Sequence, residues 1–202
     1  MFEVETPGVL NFEDHISHIG VRQSIERNPA NSVASSETVA SLLNMSITVS
    51  KQEHGFLLVS RVKVPRQREE VFDIFANAYN LEDLTPPTLR FEILTPDPIV
   101  MRTGLILDYR LRLRGIPFRW QSEIVVWEPP QRFVDEQRSG PFLWWIHEHS
   151  FQDDGGHTLM TDRVRYGVPG GAVVNTLIVV RDLKAIFDYR AKRLETLLRL
   201  NR

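Results

Sequence analysis

From about residue 54 the spacing of hydrophobic and polar positions predicts a clear run of elements. Phe56–Val64 (FLLVSRVKV) is rich in β-formers and closes at Pro65. Glu69–Ala78 places Val71, Phe72, Phe75 and Ala76 on one helical stripe, and Asn80–Pro87 reads as a short second helix stopped by two prolines. Six strand-like runs follow: Leu89–Leu94, Gly104–Leu113, Phe118–Trp127, Arg132–Gln137, Phe142–Gln152 and His157–Val168. Their boundaries carry turn residues, among them Gly115-Ile116-Pro117, Pro129-Pro130, Ser139-Gly140-Pro141 and Asp153-Asp154-Gly155-Gly156. Such short connections favour an antiparallel meander, because parallel strands need long crossovers. After Pro169-Gly170-Gly171 one helix is expected from Ala172 to about Leu200, its stripe running through Val173, Leu177, Val180, Leu183, Ile186, Phe187, Leu194, Leu197 and Leu198. At 1.5 Å per residue it would extend roughly 40 Å, enough to lie across a seven-stranded sheet. The order is β-α-α-β6-α, and a curved sheet closed over its terminal helix is the natural solution.

Residues 1–50 look different. They hold two basic and six acidic residues, 2 − 6 = −4, while the remaining chain holds 22 − 20 = +2. Asn28–Ser36 is small and polar, like a linker, and Ser36 could cap a short helix through Val39, Leu42 and Leu43. Residues 1–50 are therefore expected to be a poorly ordered or peripheral extension, with the domain spanning 51–202. A plainer alternative is that translation begins at Met45. The first twenty residues hold four acids and two histidines and no apolar run, so no secretory signal is expected, and the expected location is cytoplasmic.

Composition narrows the function classes. With 24 Lys+Arg against 26 Asp+Glu the formal charge is −2, which gives no basic excess for nucleic acid. The absence of cysteine excludes a disulfide scaffold, a thiolate metal site and a cysteine nucleophile. No apolar run approaches the ~20 residues that span a bilayer.

Four segments look familiar: VKVPRQREEVFDIFANAYNLEDLTPP (62–87), GIPFRWQSEIVVWEPPQRFVDEQ (115–137), HEHSF (147–151) and MTDRVRYGVPGG (160–171). Over residues 54–200 the chain resembles the SRPBCC superfamily, the START-like and polyketide cyclase/dehydrase-like proteins. The resemblance implies an α+β helix-grip fold, a seven-stranded antiparallel sheet wrapped around the C-terminal helix, with an elongated apolar cavity between them. It does not specify an activity, because the superfamily holds carriers, receptors and enzymes without one shared catalytic motif.

Strand alternation shows which side chains face that hollow. Setting charged positions outward puts Leu105, Leu107, Tyr109, Leu111 and Leu113 inside, then Phe118, Trp120, Ser122, Ile124 and Val126. Phe133, Asp135 and Gln137 follow, then Trp145, His147, His149 and Phe151, and finally Met160, Asp162, Val164 and Tyr166. The same test leaves Trp127 and Trp144 outside or at an edge. If Gly155-Gly156 forms a two-residue hairpin loop, His149 lies opposite Asp162, Phe151 opposite Met160, and Trp145 opposite Tyr166. The Ser139-Gly140-Pro141 turn sets Asp135 opposite His147. Extending the register places Tyr109, Ser122 and Gln137 in one row.

Two His–Asp neighbours on an apolar concave face have three readings. They satisfy one another structurally, they orient the polar head of an apolar ligand, or they move a proton in catalysis, with Tyr109 or Tyr166 as acid or oxyanion donor. The candidate catalytic residues are His147, His149, Asp135 and Asp162. The candidate ligand-binding set is Tyr109, Trp120, Ser122, Phe133, Asp135, Gln137, Trp145, His147, His149, Asp162 and Tyr166. His147, His149 and an aspartate also meet the geometric minimum for a metal, but with two histidines and no metal motif none is assigned, and no cofactor is expected. His15, His18, His54 and His157 read as solvent-facing. The seven basic residues from Arg181 onward (Arg181, Lys184, Arg190, Lys192, Arg193, Arg199, Arg202), against Asp182, Asp188 and Glu195, read as a solvated helix face, with weak anionic-membrane contact the lesser reading.

The expected function is binding or carriage of a small hydrophobic molecule, lipid, polyketide or isoprenoid-like. The alternatives are a cyclase or dehydratase using the His–Asp pairs, and an interaction module whose cavity is filled by its own side chains. Oligomeric state is left open.

Overall fold

The helical stripe and the strand alternation meet in one antiparallel sheet closed by helices. The structure is a computed structural model and describes residues 43–200, without the side chains of 199 and 200. Its strands are β1 (Asn44–Lys51), β2 (Phe56–Val64), β3 (Glu92–Ile93), β4 (Ile106–Leu113), β5 (Ile116–Glu128), β6 (Arg132–Ser139), β7 (Trp144–Asp153) and β8 (Thr158–Gly167). Their order across the sheet is β1-β2-β8-β7-β6-β5-β4-β3. Helices α1 (Arg68–Ala76) and α2 (Asn80–Asp83) follow β2, with a 3-10 turn at Pro87–Leu89. The terminal helical run is α3 (Gly171–Val174), a π-helical turn (Asn175–Val179) and α4 (Val180–Leu200).

The sheet has eight strands rather than the expected seven. β1 pairs along its whole length with β2, from Asn44↔Lys63 to Lys51↔Phe56, so residues 44–50 belong to the sheet and not to an extension. An isolated strand of alternating burial carries little signal until a partner edge exists, which explains why the sequence left it unread. Residues 1–42, including the helix expected after Ser36, lie outside the described residues. The strand expected at Leu89–Leu94 shrinks to two residues beside the 3-10 turn.

The hairpin arithmetic holds where the turn is tight. Gly155 and Gly156 have φ of 63° and 84°, the two positive values a type I′ turn needs, and β7–β8 pairs Trp145↔Tyr166, His149↔Asp162 and Phe151↔Met160. Asp135 pairs with His147. The β4–β5 turn is centred on Arg114-Gly115, one residue earlier than expected, because Leu113 pairs with Ile116. Tyr109 therefore faces Trp120, and Leu107 faces Ser122, while Ser122 does pair with Gln137. A bulge between Ile124 and Val126 then reverses the facing of β5. Val126 pairs with Val134, and Trp127, expected outside, pairs with Phe133 and packs its ring 5.3 Å from Phe72. Trp144 stays on the outer face, where Gly167 admits it: a Cβ there would lie 2.5 Å from the indole Nε1.

Two apolar clusters form the core. One joins α1 (Val71, Phe72, Phe75) to Val62, Ile124, Phe133, Phe151, Met160 and the α4 residues Ala191, Leu194 and Leu198. The other joins Leu58, Trp120, Trp145, Val164 and Tyr166 to Leu183 and Phe187. What separates them along each element is polar. Ser60 on β2, Asp162 on β8, His147 and His149 on β7, and Ser122 on β5 are all buried, and on α4 Arg190 lies between the two sets. A polar band thus crosses the middle of the concave face.

Candidate functional site

The band exists because adjacent strands each contribute a polar residue at one level. Ser60 pairs with Asp162, Asp162 with His149, and His147 with Asp135. Asp162 is its centre, with a side chain 3 % exposed. His147 Nε2 stands 2.9 Å from Asp162 Oδ1 and hydrogen-bonds to it. His149 Nδ1 stands at the same 2.9 Å, but its ring N–H is not aligned on the oxygen. The two imidazoles lie against each other, with centroids 3.7 Å apart, and His149 stacks on Phe133 at 4.1 Å. Asp135 Oδ2 is 3.8 Å from His147 Nδ1, too far for a hydrogen bond.

Burial and pairing divide the protonation states. Burial raises the Asp162 pKa, but the His147 donor and the close His149 imidazole outweigh it and hold the carboxyl far below its ordinary range. Asp135 goes the other way: burial pushes it up, against the pull of His147 and Arg190. Burial lowers both histidines, in His147 with help from His149, so neutral imidazole is favoured at each. Burial, then the charge of Asp135, pushes the Tyr109 phenol up strongly. Tyr166 is pushed up to about 12, again mainly by burial.

Above this band lies a cavity of about 510 Å³ between the sheet and the terminal helices. Leu111, Phe118, Trp120, Phe142 and Trp145 form its sheet wall, Val174, Ile178, Leu183, Ile186 and Phe187 its helical wall, and Leu81, Leu89 and Phe91 one end. Its polar lining includes Tyr109, Asp135, His147, His149 and Arg190. A side chamber of about 60 Å³ shares Tyr109, Asp135, His149 and Arg190 and adds Ser122 and Phe133.

Most of the expected residues therefore line one hollow, but three do not. Gln137 donates from Nε2 to the Phe142 carbonyl at 2.9 Å and so braces the β6–β7 turn. Asp162 lies behind the imidazoles, and Tyr166 donates its hydroxyl proton to Asn175 Oδ1 at 3.0 Å in the π-helical turn. Ser122 Oγ receives the Trp120 indole N–H at 3.1 Å and is 2.9 Å from the Tyr109 hydroxyl, a diagonal contact in place of the expected row.

Arg190 is the residue the sequence reading misplaced. Read as part of a solvated face, it is 15 % exposed at its side chain, 5.0 Å over the Phe187 ring, with Nη1 3.8 Å from Asp162 Oδ1. The signal was present: Arg190 is three residues after Phe187 and four before Leu194, on the apolar stripe itself.

One donor atom each of Asp135, His147 and His149 lies within 4.8 Å of the others. Metal bonds of about 2.0–2.2 Å hold ligand atoms no more than about 4.3 Å apart, so the set would have to contract. The nearby guanidinium also disfavours a cation.

A family model described as polyketide cyclase/dehydrase and lipid transport matches residues 64–187, more than half the chain. The chain belongs to this family. No curated protein matches it in sequence. Among solved structures, this family member is similar to protein Ms6760 from Mycobacterium smegmatis, at 16% identity over 77% of this chain and 100% of that one, with a TM-score of 0.56. It is also similar to a protein from Arthrobacter aurescens (13% identity, 74% and 91% covered, TM-score 0.59) and one from Rhodobacter sphaeroides (12%, 78% and 100%, 0.57). At these identities the likeness shows the fold alone: an antiparallel sheet with a long C-terminal helix packed on it. Among the described residues no helix is long and apolar enough to cross a membrane.

Proposed function

We propose that this polyketide cyclase/dehydrase and lipid transport family member binds a small hydrophobic molecule under α4 and serves as its carrier. One observation supports the reading above others: the hollow of about 510 Å³, within the ~300–1,000 Å³ of ligand pockets, has apolar walls and a few converging polar groups. A cavity of this size also counts against the reading in which side chains fill it. The ligand class is lipid, polyketide or isoprenoid-like. Native mass spectrometry of the full chain should find a co-purified small molecule that leaves on denaturation. Apolar probes should quench the fluorescence of Trp120 and Trp145, which line the wall. No bound mass and no quenching by any probe would remove the proposal.

The enzymatic alternative draws on the neutral imidazoles of His147 and His149, which line the cavity while Asp162 orients His147 from behind. A neutral imidazole on an apolar wall is suited to accept a proton from a carbonyl-bearing chain, as a cyclase or dehydratase needs. The double variant His147→Gln/His149→Gln separates the two readings. A carrier keeps most of its ligand affinity, whereas an enzyme loses turnover.

A further inference from the structure

Among the described residues the Arg190 side chain, 15 % exposed, makes no hydrogen bond. Its Nε and Nη1 atoms are shielded from solvent and have no acceptor, and Asp135 Oδ2, in the same hollow, is likewise unpartnered. Such groups are costly to leave unmet, a guanidinium most of all, because it cannot shed its proton. Asp162 faces its charge but does not meet its hydrogen bonds. Its Oδ1 is 3.8 Å from Nη1 and is already faced by both imidazoles at 2.9 Å. The Phe187 ring beneath Arg190 adds cation–π attraction but accepts no conventional hydrogen bond.

The unmet atoms share a location. Arg190 and Asp135 both line the main cavity and its side chamber, at the level where the polar band interrupts the apolar walls. Resting on the ligand-binding reading above, we propose that this is a head-group subsite in which Arg190 holds the carboxylate of a long-chain acid whose tail lies in the apolar cavity. A carboxylate is acceptor-only and matches the planar guanidinium better than an alcohol, which must also find an acceptor for its own proton. Asp135 Oδ2 stands in the same hollow without a hydrogen bond, and burial pushes its carboxyl pKa up, which favours the neutral form beside a bound anion. The subsite thus gathers unmet polar groups from two elements, β6 and α4, with the imidazoles beside them.

The test is a head-group series on the full chain, stripped of co-purified ligand and titrated by calorimetry with dodecanoate, methyl dodecanoate and dodecan-1-ol. Dodecanoate is expected to bind at least about tenfold more tightly than either neutral analogue, tenfold being ~1.4 kcal/mol. Arg190→Gln should abolish that preference while leaving the neutral analogues within about threefold. Arg190→Lys, which keeps charge and loses the fork, should retain part of it. Equal affinity for all three ligands, or an equal loss for all three in Arg190→Gln, overturns the carboxylate subsite and leaves the cavity reading standing. Binding of none of the three, with no quenching by other apolar probes, overturns both. Because the wild-type series alone carries the comparison, an unfolded Arg190 variant does not remove the test.

Discussion

His147 Nε2 and Asp162 Oδ1 stand 2.9 Å apart beneath the cavity floor, with side chains 6 % and 3 % exposed. At that depth an ionised carboxylate persists only because the His147 donor and a second close imidazole face it, and the His147 ring is turned so that its other nitrogen looks toward Asp135. Removing the carboxylate leaves the His147 ring N–H without its acceptor and the Arg190 charge without its nearest anion. Asp162→Ala should therefore destabilise the protein by about 3–5 kcal/mol, the usual cost of breaking a buried charged set. Asp162→Asn, which keeps the shape, should cost less. Urea denaturation of the two variants checks the order.

Acid should weaken the fold through the buried imidazoles. The folded pKa values of His147 and His149 lie below the ordinary 6.5, so on acidification the unfolded chain takes up their protons first. Stability that is present above about pH 6.5 is then lost as pH falls, by up to roughly 1.4 kcal/mol per pH unit for each imidazole. Asp135 acts oppositely: raised above 3.8, its contribution is present at low pH and lost as pH rises through its folded value. Asp162, held below 3.8, loses its contribution only at still lower pH. Denaturation midpoints should fall from pH 7.5 to 5.5, and Asp135→Asn should leave that fall as steep or steeper. A flat profile in both proteins would contradict the buried neutral imidazoles.

The π-helical turn has a polar anchor. Tyr166, fully buried, donates to Asn175 Oδ1, and Asn175 is itself 3 % exposed. Tyr166→Phe strands that oxygen and should cost about 1–3 kcal/mol. Asn175→Ala should be no worse than Tyr166→Phe in the thermal melt unless the cavity it leaves fails to close.

At the solvent edge of the cavity, Arg114 grips Asp182 through two contacts of 2.9 Å, joining the β4–β5 turn to the start of α4. Both residues line the cavity, and Arg114 is 54 % exposed. An exposed pair contributes little to stability, so Arg114→Ala should leave the melting temperature nearly unchanged. It should accelerate both association and dissociation of dodecanoate, read by stopped-flow tryptophan fluorescence. Unchanged rates would show that ligand does not pass this edge.

How much of this was legible depended on distance along the chain. The β7–β8 register followed from Gly155-Gly156, because a two-residue turn leaves no freedom in the pairing, and with it came His149 opposite Asp162. Asp135 opposite His147 followed from the next turn. Errors entered over the next two hairpins, where the β5 bulge reverses Trp127 and Arg114-Gly115 rather than Gly115-Ile116 centres the β4–β5 turn. A period-2 argument cannot survive one inserted residue. Arg190 was missed because its basic neighbours on α4 made it look like part of a solvated face.

By itself the sequence determined the order of elements from β2 onward, the antiparallel sheet, the long terminal helix, and the inward aspartates and histidines of β6, β7 and β8, since all of these rest on local periodicity and turn chemistry. The tertiary structure decided what no local rule carries. It added β1 as an edge strand, turned Trp127 inward, drew Arg190 off the helix surface, and set its unmet donors beside Asp135 under an apolar roof. Those outcomes depend on which surfaces meet, and contact between distant elements is set by packing rather than by spacing along the chain.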